Sequence, residues 1–300
     1  MPPVNPKQHV NEGVPRTGGR WSQERRLEFI DYRLRWEGRL NRSDLIELFG
    51  ISVPQASLDI ARYTELAPVN IQYDRSARVY LAGEHFEPVY PTGNPQRFLG
   101  DVLALAAGLS SPESSFLGWT PPVGLMPVPS RVIPVGSLVS LLRAMRARHT
   151  VRVTYQSMTR AEPVERVLSP HAFGHDGFRW HVRAFCHTRN EFRDFLIARM
   201  LAVAPGVASE VDPGRDARWH SMVQLILVPN PQLSASRSRV VELDYGMEQG
   251  QVVLECRQAL LFYLLKHLGF DTQEALPVEA RQIVLKNEAE VRACLAPAAA

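Results

Sequence analysis

The chain has 300 residues, 45% hydrophobic and 22% charged, with a net charge of +3; that is length enough for two or three domains with cores of their own. No stretch approaches the roughly 20 apolar residues of a membrane helix, and Pro2, Pro3, Asn5 and Pro6 interrupt any apolar leader, so a cytoplasmic location is expected. Cys186, Cys256 and Cys294 are far apart, odd in number and outside CxxC pairs, which argues against a disulfide framework or a structural zinc site.

Residues 1–20 are rich in Pro, Gly and Asn without periodicity and read as a disordered tail. Ser22 reads as the cap of a first helix that lines up Leu27, Ile30 and Leu34 and ends at Gly38. A second helix opens at Asn41 and carries Leu45, Leu48 and Phe49. After the Gly50-Ile51 turn, Ser52 and Gln55 form a capping box for a third helix reaching about Leu66. That helix turns Ala56, Ile60 and Tyr63 inward, leaving Gln55, Ser57, Asp59 and Arg62 for base edges or phosphates. Two short strands, 70–73 and 79–81, flank a turn bearing Arg75 and Arg78. Helix, helix, turn, helix, hairpin is the order of a winged helix-turn-helix over residues 21–90; a small helical domain that binds a protein is the competing reading. The polar start of the third helix and the arginines at the hairpin tip favour DNA, with Ser52, Gln55, Ser57, Arg62, Arg75 and Arg78 as candidate contacts.

Residues 91–135 read as a linker helix from Pro95 to about Leu109, followed by a crossing with six prolines between positions 110 and 134. Such a segment either wraps over a neighbouring surface or stays mobile. Ser137 reads as the cap of a helix with Leu138, Leu141, Leu142 and Met145 on one stripe. Strands are expected at 151–155, 164–168, 178–186 and 192–200, with Asp176-Gly177 as a tight turn. From 178 to 187 the residues alternate: Phe178, Trp180, Val182, Ala184 and Cys186 on a core face, and Arg179, His181, Arg183, Phe185 and His187 on a basic one. Residues 131–200 hold 12 Arg and no Lys against five acids, or +7, which leaves −4 for the rest of the chain. The planar guanidinium suits bidentate contact with phosphate, so an anionic ligand is expected there.

Specific residues in this segment carry a resemblance. Val153-Thr154-Tyr155-Gln156-Ser157, Ser169-Pro170-His171, Asp176 through Phe185, Phe192-Arg193-Asp194-Phe195 and Arg199 resemble the WYL domain of bacterial transcriptional regulators, although the naming triplet stands here as Trp180-His181-Val182. The three-part layout over residues 21–295 resembles the BrxR and CapW group of repressors that control phage-defence operons. The resemblance implies a homodimeric DNA-binding regulator whose WYL domain senses a nucleotide or oligonucleotide. The family's pocket maps onto Tyr155, Ser157, His171, Arg183, Arg193 and Arg199. Arginines grip phosphate and an aromatic stacks a base, though Tyr155 equally fits a core residue with its hydroxyl paired. The implied fold is α+β: the winged helix-turn-helix, a WYL domain over 136–205 built as an SH3- or Sm-like β-barrel, and a small α/β domain of ferredoxin-like type over 215–296.

In that last part, Ala204-Pro205-Gly206 read as the start of a linker, followed by strands at 221–228, 251–256 and 282–285 and helices at 234–243, 258–268 and 287–295. In the resembled group this extension commonly helps dimerisation; Leu260, Leu261, Leu264 and Leu265 suit a core or a partner interface equally. Such a dimer places two third helices in successive major grooves of an inverted-repeat operator. Repression is the leading reading, and an activator of the same architecture is the alternative. A nucleic-acid-processing accessory protein is a third reading, but there is no Walker A loop, GxGxxG, HExxH or GxSxG. No enzyme activity, cofactor or metal is therefore expected: His171, His175, His181 and His187 lack a matching set of acidic or thiolate ligands.

Overall fold

Leu27, Ile30 and Leu34 recur at helical spacing and form the inner face of α1 (Gly18–Glu37). In the computed structural model residues 18–91, 94–129, 131–271 and 277–295 are described, with contacts that divide between Val128 and Pro129 into two units. Positions 1–17 of the expected tail lie outside the described residues, and 18–20 belong to α1. Ser22 falls inside that helix rather than capping it.

In the first unit, Gly38 and Gly50 adopt left-handed φ values of 71° and 62°, which glycine takes without strain, and they end α1 and α2 (Arg42–Phe49). Between these helices β1 (Arg39–Leu40) pairs with a hairpin of β2 (Ile71–Asp74) and β3 (Val79–Ala82), giving the order β1-β3-β2. α3 (Val53–Leu66) buries Ala56, Ile60 and Tyr63 against α1 and also buries Asp59, which the helical pattern had placed outward. Asp59 is there to meet Arg26, whose Nε lies 2.6 Å away. Gln55 does not reach back to complete a capping box: Ser52 Oγ accepts from Gln55 N–H, while Gln55 Nε2 donates to Asp59. Tyr63 donates to the buried carboxylate of Asp31 at 2.6 Å, and burial together with that charge raises its phenol far above the ordinary range. α4 (Pro95–Ala106) adds Val102 to the same core. The proline-rich segment then wraps back onto this unit. Phe116 and Leu117 fill the core, Phe116 lies edge-on to Phe29 and Tyr32, and Glu37 accepts from Gly118 N–H at 2.7 Å.

The second unit begins with α5 (Val135–Ala147), which seats Leu141 and Ala144 on a five-stranded antiparallel sheet. Pro134 occupies the cap position, the expected cap Ser137 is buried within the helix, and Leu142 is half exposed. The strands are β4 (His149–Tyr155), β5 (Val164–His175), β6 (Trp180–Cys186), β7 (Glu191–Leu196) and β8 (Met200–Ala208), in the order β7-β6-β5-β4-β8. β5 runs seven residues beyond its expected end because a register break between Pro170 and Ala172 absorbs the missing proline N–H. Among the described residues no pairing joins β7 to β8, so the expected barrel is an open sheet. The expected linker at Ala204-Pro205-Gly206 lies inside β8. Gly206 is needed there, since a Cβ would stand 2.7 Å from the Thr150 carbonyl oxygen.

α6 (Ala217–His220) leads to β9 (Met222–Pro229), α7 (Ala235–Asp244), β10 (Val252–Arg257), α8 (Leu261–His267), β11 (Ile283–Leu285) and α9 (Glu288–Ala293). The three strands form an antiparallel sheet in the order β10-β9-β11 rather than a four-stranded ferredoxin-like one, among the described residues. Leu225, Leu227, Val241, Leu261 and Val291 fill its core. No helix among the described residues is long and apolar enough to cross a membrane.

Candidate functional site

The outward side of α3 and the β2–β3 turn carry the first set of candidates. Ser52 caps the helix, and Ser57 Oγ donates to Val53 O at 2.9 Å. Arg62 is exposed and meets Glu65 at 3.0 Å, a surface pair that holds it weakly. At the turn, Asp74 accepts from Ser76 N–H at 2.8 Å and Ala77 N–H at 3.1 Å; these bonds and the Ser76 hydroxyl lower its carboxyl and fix the loop. Arg75 and Arg78 project from that fixed loop into solvent, with Arg78 at a left-handed φ of 53°. Gln55 on α3 gives one amide hydrogen to Asp59, and Leu58, which helical periodicity did not single out, is 63% exposed in the middle of the helix.

The second set divides. Tyr155, Ser157, Arg193 and Arg199 line one cleft of about 280 Å3 in the second unit. Arg160, Arg166 and Arg189, which sequence reasoning did not single out, line it as well, so five guanidinium groups face a wall whose one carboxylate is Asp194. The expected continuous strand through Arg193 and Arg199 is broken by a 3-10 turn, Ile197–Arg199. Gln156 supports both sides of the opening: its N–H donates to Arg199 O at 3.1 Å and its side chain donates to Arg160 O at 2.8 Å. Among the described residues Arg160, Arg189 and Arg199 make no ion pair, whereas Arg193 meets Glu191 at 2.8 Å. Tyr155 is mainly core, 8% exposed, packed edge-on to Phe195 with its hydroxyl accepting from Leu196 N–H at 3.3 Å.

His171 and Arg183 stand elsewhere, in a buried ion cluster. Arg183 grips Asp216 through Nε at 2.7 Å and Nη2 at 2.9 Å and reaches Asp194 with Nη1 at 3.3 Å; His171 Nε2 lies 2.9 Å from Asp216. Asp216 also caps α6 by accepting from Trp219 N–H. Desolvation pushes Asp216 upward, but the bonds from Arg183 and His171 outweigh it and hold the carboxyl well below the usual range. Asp194, which accepts from Tyr263 at 3.4 Å, moves the other way because desolvation exceeds the pull of Arg183. The alternation in β6 is thus real for Val182, Ala184 and Cys186, all fully buried, but His181 and Arg183 opposite them are also buried, while Phe178 and Trp180 are half exposed. His181 is satisfied by Asp176, which also accepts from Arg179 Nε and from Phe178 N–H and Arg179 N–H. Among the described residues no three His, Cys, Asp or Glu side chains converge to hold a metal ion.

Comparison with known proteins agrees with this division of parts. Family models match at residues 22–103 for the BrxR transcriptional regulator winged helix-turn-helix domain, 136–205 for the WYL domain and 222–291 for the BrxR transcriptional regulator C-terminal dimerization domain. The chain is 46% identical over 290 residues to the DNA-binding transcriptional repressor CapW of Escherichia coli (strain KTE188), covering 96% of each chain. Proteins of the same description from Pseudomonas aeruginosa (46% identity, covering 92% of this chain and 93% of the relative) and Stenotrophomonas maltophilia (48%, covering 91% and 92%) are similar over nearly the same span. Among solved structures, the proteasome accessory factor B/C of Arthrobacter aurescens aligns over 92% of this chain and 46% of its own at 15% identity, with a TM-score of 0.27 that bears no weight. A winged helix, a WYL sheet and a C-terminal dimerization module in this order, with near-half identity from end to end, place the chain in the BrxR and CapW family of transcriptional regulators.

Proposed function

We propose that the protein is a cytoplasmic, homodimeric, ligand-responsive transcriptional repressor of a phage-defence operon. Residues 21–90 bind DNA, 136–205 sense the ligand and 215–296 dimerise. α3 enters the major groove with Ser52, Gln55 and Ser57 near base edges, while Arg62, Arg75 and Arg78 hold phosphates or the minor groove. The dimer recognises an inverted repeat. A nucleotide or oligonucleotide enters the arginine cleft, held by Arg199 and Arg193 with Arg160, Arg166 and Arg189. Tyr155 and Ser157 border it. The observations that support this most are α3, with its exposed outward side and Arg62, in the first unit, and the cleft lined by five arginines and one carboxylate in the second. Effector binding releases DNA if it favours the unbound arrangement of the dimer.

Footprinting and gel shift on the DNA upstream of the protein's own gene, repeated at several salt concentrations, test the reading. Six arginines from a dimer, each neutralising one phosphate, contribute a slope of about −5 in log K against log salt. No protection, or equal binding to any duplex, refutes the regulator reading. Release of the shifted band by a 5′-phosphorylated single-stranded oligonucleotide supports the sensing part.

A further inference from the structure

We propose that Leu58 is the residue through which α3 reads sequence, by closing over thymine methyl groups in the major groove. The inference rests on the reading of α3 as the recognition helix and goes further, to a feature of the operator itself.

At about 100° per residue, the buried positions Ala56, Asp59, Ile60 and Tyr63 fix the inward direction of α3. The opposite direction is occupied by Pro54, Leu58 and Ala61 over the first part of the helix and by Glu65 at its C-terminal end, all exposed. From Pro54 to Ala61 the outward face is therefore apolar, and the one carboxylate on it, Glu65, stands at the far end paired with Arg62. Each polar side chain beside that apolar stretch already spends a donor within the helix. Gln55 sits roughly a quarter-turn away and gives an amide hydrogen to Asp59 at 3.1 Å, which an ionised carboxylate can only accept. Ser57 gives its one hydroxyl hydrogen to Val53 O, and Arg62 is drawn aside by Glu65.

In the major groove a base pair offers donors, acceptors and, on thymine alone, a methyl group. A face with a bare leucine at its centre has one of these to recognise. The charge of the same unit makes the occupant nucleic acid rather than a second apolar surface: Arg62 on α3 and Arg75 and Arg78 at the hairpin tip are all exposed, and phosphate contacts position a helix without carrying sequence information. Leu58 supplies discrimination and the arginines supply attraction.

The test uses the full chain and the operator fragment defined by footprinting, with each thymidine in a half-site replaced in turn by deoxyuridine. That exchange removes the methyl and nothing else. Burying one such group contributes about 0.8 kcal/mol, so the wild-type protein should lose about four-fold in affinity at one or two positions per half-site, and about 15-fold when both half-sites carry the change. Leu58→Ala, at an exposed position, should keep the fold by circular dichroism and keep the salt slope. It should bind the natural operator about as weakly as wild type binds the uracil form, with no further loss on substitution. Indifference of the wild type to every substitution, or unchanged sensitivity in Leu58→Ala, overturns the proposal. If the wild type protects no DNA at all, the recognition-helix reading fails at the footprint and this inference with it.

Discussion

Replacing Asp216 by alanine should weaken the second unit more than any surface change. Its carboxylate takes two bonds from the buried Arg183 guanidinium, one from His171 and one from the first turn of α6. With Asp216 gone, Arg183 keeps only Asp194 at 3.3 Å, and breaking such a buried pair costs about 3–5 kcal/mol, with about 1 kcal/mol more for the lost cap. For a unit of 150–250 residues each kcal/mol moves Tm by roughly 2–4 °C, so a loss of about 4–6 kcal/mol lowers it by about 8–24 °C. Calorimetry resolves a shift of that size. The double variant Arg183→Met, Asp216→Ala removes the stranded guanidinium and should recover part of the loss, but not all of it, because Asp194 then keeps the Tyr263 hydroxyl and loses its arginine. The pH dependence has a definite sign: Asp216 is held below its unfolded value of about 3.9, so its contribution is complete above that pH and is lost as pH falls toward the depressed folded value. The gap between wild type and Asp216→Ala should therefore narrow in acid. A Tm drop under about 3 °C, or a double variant no better than the single one, refutes the account of the cluster.

Arg199→Ala should leave operator binding unchanged and weaken a 5′-phosphorylated single-stranded oligonucleotide by at least about ten-fold, since a charged hydrogen bond contributes about 1.5–3 kcal/mol; fluorescence anisotropy reads both. Arg75→Ala and Arg78→Ala should each reduce the magnitude of the salt slope of operator binding by about two, one contact from each protomer, without changing which sequence is preferred, as gel shifts across a salt series will report. Gly206→Ala should cost about 1–3 kcal/mol in urea unfolding, because its methyl group meets the Thr150 carbonyl of the neighbouring strand.

What could be read in the chain was local. The spacing of Leu27, Ile30 and Leu34, the glycines after α1 and α2 and the cap at Ser52 are decided within a few residues; α2 and α3 form where the pattern places them, and α1 ends there although it begins ahead of Ser22. What could not be read depends on distant partners. Arg183 carries the same alternation signal whether its guanidinium faces water or a carboxylate 33 residues away, and Asp216 stood between the expected linker and the first expected strand of the C-terminal part, where no motif marked it. Pro205 and Gly206 suggested loop because their ordinary strand cost is visible in sequence, while the close approach of β4 that requires the glycine is not. The candidate ligand residues were found as a residue class more than as a set: Tyr155, Ser157, Arg193 and Arg199 share a cleft, and His171 and Arg183 belong to the ion cluster instead.

The return of Phe116 and Leu117 into the first unit bears on how such regulators are cut and rejoined. A sequence-based boundary at the end of α4 separates the winged helix from two of its own core side chains, leaving an aromatic-sized hole beside Phe29 and Tyr32 and a Glu37 carboxylate that keeps Arg33 but loses its backbone donors. A transplanted DNA reader therefore has to travel with its strap. The segment that looks like a tether between modules is, up to Trp119, part of the module it follows, and any chimera that borrows this operator specificity is best joined beyond that tryptophan.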